Sequence, residues 1–152
     1  MYEISPLQPA ASGRNDYVGT LHIWYGDEIG MMGAHDPDCR RPFDWKYTQD
    51  SEKIALRNYY QKLIDIRKKH KALSLGNFQT LITEGMVYGF MRSYENEDMI
   101  VVINNDTKKQ TVTLKLDMAD KVWKDLLSRR AYNLKNNKIK LEIPAMRGVI
   151  LK

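Results

Sequence analysis

The sequence predicts a mainly β chain whose C-terminal half is an antiparallel sandwich of Greek-key type, preceded by one amphipathic helix and a long polar loop. Three observations carry this reading. From Gly76 onward, apolar and polar residues alternate with a period of two, interrupted by turn signals at a spacing of roughly ten residues. Residues 52–71 instead repeat apolar side chains every three or four positions. Residues 27–50 hold no sustained period.

Taken in order, residues 1–18 read as irregular, with Pro6, Pro9, Ser12, Gly13 and Asn15 as breakers. The run LHIWY, residues 21–25, is stopped by Gly26 and predicts one short buried strand. The loop from Asp27 to Asp50 is long for a compact chain, which marks it as functional or disordered. Its Phe43, Trp45 and paired methionines argue against disorder.

A helix is predicted over 52–71, with Leu56, Tyr59, Tyr60, Leu63, Ile64 and Ile66 on one stripe. Asp50 or Ser51 caps its start, and Glu52 suits the first turn. Arg67, Lys68, Lys69 and His70 suit the negative end of the helix dipole, with His70 read as an end residue rather than a ligand.

In the alternating half, Val112, Leu114 and Leu116 face opposite to Thr111, Thr113 and Lys115. Likewise Ile139, Leu141 and Ile143 face opposite to Lys138, Lys140 and Glu142. MVYGFMRS, DMIVVIN and RGVILK add strands between turn signals such as ENED, NNDTK and NLKNN, for seven or eight strands in all. The expected core is Val101, Val102, Ile103, Leu114, Leu116, Trp123, Leu126, Leu141 and Ile150. Residues 76–152 are expected to fold as an autonomous unit.

Composition excludes several classes. A chain of 152 residues with 43% hydrophobic content buries one core, or a domain with an appendage. No run approaches the roughly 18 apolar residues of a membrane span, and the first residues lack the basic start and apolar stretch of a signal peptide. Cys39 stands alone, so no internal disulfide forms, and a reducing cytoplasm is the expected setting. The net charge of +5 is unevenly spread. Residues 1–51 hold four Lys/Arg against eight Asp/Glu, residues 52–71 seven against two, and residues 72–152 thirteen against nine. In the tail the cations alternate with apolar residues, as in LKNNKIKLEI, which describes a solvated sheet face. Aromatic residues do not interleave with basic ones, so nucleic acid is not an expected partner.

The stretch WYGDEIGMMGAHDPDCRRPFDW, residues 24–45, is where the chemistry concentrates. Four readings stay open on physics alone. Glycosidic acid/base work needs two carboxyl groups facing one bond, about 5–10 Å apart. Adjacent Asp27 and Glu28 point opposite ways in an extended backbone, whereas Asp36 and Asp38 could converge. His35, Asp36, Asp38 and Cys39 form a mixed cluster, but without the spaced pairs of zinc sites or the dense comb of calcium loops. Ligand holding without catalysis would use aromatic stacking with Asp and Arg on hydroxyls, and Asp36 and Arg40, four apart, could pair for this. The fourth reading is a salt-bridged structural loop.

A resemblance adds to this. GTLHIWYGDEIGMMGAHDPDCRRPFDW resembles the segment after the last barrel strand in the α-amylase family, and D-P-D-C-R-R-P-F-x-W resembles its neopullulanase, cyclomaltodextrinase and maltogenic amylase branch. IRKKHKAL, LSLGNF, VYGFMRS, VVINN, DLLS and IPAMRGVILK follow in that branch's order, so the resemblance covers residues 19–152. Leu21 stands where the family usually has Pro, and Trp24 where it usually has Tyr.

The resemblance implies that residues 19–75 are the end of a truncated (β/α)8 barrel, comprising its last strand, substrate-binding loop and last helix. Residues 76–152 are then the family's C-terminal sandwich, and residues 1–18 a leader of different origin. It implies an α-glucan hydrolase of the cyclodextrin, pullulan or starch type with a retaining mechanism. The family's three catalytic carboxylates precede the YGDEIG segment, so none is carried over, and this chain alone is expected to be inactive. Asp36 and Arg40 correspond to residues holding a glucose unit on the non-reducing side of the cleavage point. Gly26, Asp27 and Glu28 shape the cleft floor. Trp45 either stacks on a sugar or packs beneath the loop. No cofactor or metal is implied, and the expected ligand is an α-glucan oligosaccharide, weakly held. The alternative is a non-catalytic sandwich module for carbohydrate or a protein partner. Without barrel neighbours, the helix stripe is expected either to drive self-association or to dock on the chain's own sandwich.

Overall fold

The computed structural model describes residues 22–152. The leader read at 1–18 lies outside them. Three short 3-10 turns, Asp27–Ile29, Asp38–Arg40 and Trp45–Gln49, lead into helix α1 (Ser51–Lys69) and a one-turn helix α2 (Lys71–Leu75). Eight strands follow: β1 (Asn77–Glu84), β2 (Val87–Tyr94), β3 (Glu97–Asn104), β4 (Gln110–Lys115), β5 (Lys121–Lys124), β6 (Ala131–Lys135), β7 (Lys138–Ile143) and β8 (Arg147–Leu151).

The strands form two antiparallel four-stranded sheets, ordered β1-β2-β3-β8 and β4-β7-β6-β5. In the second sheet, three consecutive strands lie beside β4, which precedes them in sequence; this is the Greek-key order expected from the alternating pattern. The turn signals act as read. Asn136 and Asn137, with φ of 49° and 61°, close the β6–β7 hairpin, where the right-handed twist of paired strands favours positive φ at both central residues. Asn104 is fully buried and donates from Nδ2 to the carbonyls of Lys108, Ile143 and Pro144 at 2.9, 3.2 and 3.0 Å. One side chain thereby ties the crossover between sheets to the β7–β8 connection.

The fold has three layers and two cores. Between the sheets lie Ile100, Val102, Leu114, Leu116, Trp123, Leu134, Ile139, Leu141, Ile143, Val149 and Leu151. On the outer face of the first sheet, Phe90, Met99, Val101 and Ile150 pack with Leu56, Tyr60, Leu63 and Ile66 of α1 and with Ala72 and Leu73 of α2. Strand β3 therefore serves both cores on alternate residues, which is why DMIVVIN reads as a continuous apolar run. Of the two fates expected for the helix stripe, the structure takes the second: the helix covers the chain's own sandwich. Of the residues expected in the sandwich core, Val101 and Ile150 are buried, and Ile103 and Leu126 half-buried, on the helix side instead.

Two local expectations are corrected. The helix expected over 52–71 ends at His70, whose φ of −116° and ψ of 102° are extended, and restarts at Lys71. Glu97, at the β2–β3 hairpin, explains the break. Its carboxylate lies 2.7 Å from His70 Nδ1, accepts the Ala72 N–H at 3.2 Å and pairs with Lys152 Nζ at 3.0 Å. The second correction concerns LHIWY. Residues 22–25 join no ladder, and Trp24 and Tyr25 are 55% and 41% exposed. A buried strand needs neighbours to bond its backbone groups, and none pairs with it among the described residues. No helix among the described residues is long and apolar enough to cross a membrane.

Leu114 is 1% exposed within the inter-sheet core. Leu114→Ala should cost ~2–5 kcal/mol in urea melts, and a loss below about half a kcal/mol would mean its strand is faced wrongly. The Glu97 contact predicts acid lability. Burial alone would raise this carboxyl's pKa, but bonds from His70, Lys152 and the Ala72 N–H outweigh burial and hold it down to about 2. A depressed folded-state value stabilises the fold above the unfolded value of 4.5, and that stabilisation is lost as pH falls toward 2. The expected loss is on the order of 3 kcal/mol from this group. Urea midpoints between pH 5 and 2 should fall less steeply in Glu97→Gln than in the wild type.

Candidate functional site

Residues 24–45 are fixed to the helix through a tight turn. Gly26 sits at φ 92°, a left-handed conformation that side chains resist, and its N–H donates to Glu28 Oε2 at 2.9 Å. The Trp24 N–H donates to Asp27 Oδ2 at 3.3 Å. Asp27 and Glu28 thus act as acceptors that close the turn. The turn drives Ile29 inward, where it is 1% exposed, with Gly30 beside Leu56 of α1.

Beyond the turn, two adjacent ion pairs organise D-P-D-C-R-R. Arg40 meets Asp36 through two nitrogens, Nε at 2.7 Å and Nη2 at 3.2 Å, the paired arrangement allowed by their four-residue spacing. Both side chains are open to solvent, 73% and 61% exposed. Asp38 accepts the Ala34 N–H at 2.7 Å and Arg41 Nε at 2.6 Å. The Ala34 amide first, then Arg41, holds the Asp38 carboxyl below the usual range. The Arg41 carbonyl in turn accepts the Tyr25 hydroxyl at 2.9 Å, joining the loop back to the residue before Gly26. Cys39 is exposed, with Sγ 3.9 Å from Asp36 Oδ1.

Asp44 ties the far end of the loop to the helix. Its Oδ2 lies 2.6 Å from Lys53 Nζ, which lowers the carboxyl's pKa and raises that of the ammonium. Trp45 does not pack beneath the loop: it is 77% exposed and touches Phe43 edge-on at 4.7 Å. A shallow cavity of about 200 Å³ opens among Trp24, Tyr25, Met31, Asp38 and Arg41.

The structure thus joins Asp36 to Arg40, as their spacing suggests, and gathers Gly26, Asp27 and Glu28 in one turn. The brace made by Tyr25, Asp38 and Arg41 was not singled out in the sequence. Its one available signal was the three-residue spacing of Asp38 and Arg41. Every acidic side chain from Asp27 to Asp44 is engaged by a backbone amide, an arginine or a lysine. No two of them face each other across a cleft wall supplied by a second element among the described residues.

Residues 76–151 match the family model of the alpha-amylase C-terminal domain. The chain is 43% identical over 98 residues to a cyclomaltodextrinase of Thermoanaerobacter pseudethanolicus, covering 64% of this chain and 17% of that protein. It is 37% identical over 138 residues to neopullulanase 2 of Thermoactinomyces vulgaris, covering 89% and 23%. Among solved structures it is similar to a cyclomaltodextrinase at 29% identity and TM-score 0.80, covering 94% of this chain and 25% of that one. It is also similar to an alpha-amylase from Geobacillus thermoleovorans complexed with acarbose, at 25% identity and TM-score 0.84, covering 93% and 31%. The chain therefore spans about a fifth of the length of the curated relatives first matched.

The turn at Gly26 yields a paired test. A Cβ at Gly26 would lie 2.8 Å from Met31 Sδ, whereas one at Gly85, also at positive φ, would meet nothing within 4 Å. Gly85→Ala should cost roughly 1 kcal/mol from backbone strain alone. Gly26→Ala should add the Met31 clash and, uniquely of the two, speed hydrogen exchange at the Gly30 and Met31 amides. Equal exchange in both variants would mean that the turn does not depend on this glycine.

Proposed function

The chain belongs to the α-amylase family through its C-terminal domain, and on that premise we propose that it is the C-terminal part of an α-glucan-hydrolysing glycosidase of the cyclodextrin, pullulan or starch type. In the complete enzyme, a carboxylate nucleophile and a carboxylic acid about 5 Å apart would act from outside these residues, with retention of configuration. The 152 residues alone hydrolyse no glucan. The observation that carries this reading is the commitment of every loop carboxylate to a structural partner, none positioned as an acid opposite a nucleophile. Turnover requires both groups fixed on opposite sides of one bond.

The loop's own part is to hold sugar. The Asp36–Arg40 pair retains free donors and acceptors toward solvent, and Trp45 offers an exposed ring face. Together they suit the hydroxyls and the apolar face of a glucose unit. Binding through them is weak, because an open loop buries little of its ligand and leaves its polar contacts wet. The unpaired Cys39 thiol fits a reducing cytoplasm.

Purified protein incubated with cyclodextrin, pullulan and starch should release no reducing ends above a buffer blank. Turnover that disappears in Asp36→Asn or Asp38→Asn would overturn the reading and assign chemistry to the loop itself.

A further inference from the structure

A second cavity, of about 420 Å³, lies where α1 meets the end of the sandwich, and no residue of the 22–50 loop lines it. This volume falls within the range of roughly 300–1,000 Å³ typical of small-ligand sites. We propose that this cavity is a second carbohydrate site, taking one or two glucose units of an α-glucan, with Arg147 as its free hydrogen-bonding fork. The choice of α-glucan rests on the function proposed above; the carbohydrate chemistry rests on the lining.

That lining mixes flat apolar surface with a few directed polar groups. Half-buried Tyr59 of α1 supplies the ring, while Tyr132 of β6, 7% exposed, forms the wall behind it. Arg130 lies over the Tyr132 ring, 5.3 Å from its centroid, and meets Glu142 at 3.4 Å, so its charge is already balanced. Arg147 also lines the cavity, is half-buried, and makes no side-chain hydrogen bond or ion pair among the described residues. Its stem is partly covered while its guanidinium nitrogens are not among the buried atoms, so its donors are available to a ligand oxygen.

An anion fits less well. Of the three cations in the lining, Arg130 is paired with Glu142 and Lys62 donates to the Leu127 carbonyl at 2.7 Å, while Asp125 adds a second carboxylate. A pyranose presents an apolar C–H face to a tyrosine ring and an edge of hydroxyls to an arginine fork, the two features that Tyr59 and Arg147 bring to this lining.

The test is NMR titration of the full chain with maltotriose, cellotriose and inorganic phosphate, followed at the Gly148 amide, which lines the cavity. Maltotriose should shift Gly148. Arg147→Ala and Arg147→Lys should each weaken that response at least fivefold, since a lysine keeps the charge but not the planar fork. Asp36→Asn in the loop should leave it within twofold. Circular dichroism melts confirm that each variant is folded. Unchanged maltotriose affinity in both Arg147 variants overturns the proposal, as does a Gly148 response to phosphate that Arg147→Lys preserves. Equal response to cellotriose leaves the sugar site standing and removes the α-glucan reading.

Discussion

The fold depends on strand β3 being apolar on both faces. Ile100 and Val102 fill the space between the sheets, while Met99 and Val101 form the floor on which α1 lies. Remove the second set and the sandwich keeps its inner core, but the helix loses its surface. The consequence reaches further, because Gly30 lies beside Leu56 and its neighbour Ile29, 1% exposed, anchors the turn that starts the polar loop. Packing therefore passes outward from sheet to helix to turn to loop. This dependence qualifies the expectation that residues 76–152 fold alone: their outer face carries Phe90, Met99, Val101 and Ile150, and its cover comes from residues before 76.

Hydrophobic layering leaves connections unspecified, and a few buried polar side chains supply that information. Asn104 joins two crossovers. Asp125, 1% exposed, accepts the amides of Leu127 and Ser128 and, across the sheet, of Ile150 at 3.0 Å. Arg92 donates to the Gly76 carbonyl from Nε and Nη2, fixing the exit from α2. Each would be expensive to bury unpaired. Such groups penalise alternative registers more than they stabilise the native one.

These residues also mark the limit of what the sequence discloses. The alternation of Val112, Leu114 and Leu116 against Thr111, Thr113 and Lys115 reports one buried face directly, and the structure buries that face. The helix stripe and the Asp50 cap are legible for the same reason, since both are local. The helix break at His70 is not, because its cause, Glu97, lies 27 residues away and looks like any hairpin glutamate. Ile103 and Leu126 were read as inner core because β3 and the segment after β5 are apolar without alternation, so period alone cannot divide two cores. In the loop, the four-residue spacing of Asp36 and Arg40 was informative, whereas the exposure of Trp45 follows from how the 3-10 turn at Trp45–Gln49 directs it.

Two of the loop's three ion pairs differ sharply in what they can contribute. Asp44–Lys53 joins separate elements, with both side chains about one-third exposed, and a loss there would loosen the loop from the helix. Asp36–Arg40 lies within four residues and is mostly exposed, and pairs of that kind contribute about 0–1 kcal/mol. It does little for the fold, and it orders two long side chains at an entropic cost. Its geometry is instead useful to a ligand: the carboxylate fixes the guanidinium plane while leaving outward donors and acceptors unspent. The Asp44–Lys53 pair thus secures the loop to the helix, while the Asp36–Arg40 pair is the one available to the sugar-holding part proposed for it. On the function proposed above, the chemistry that acts on that sugar comes from elements outside these residues.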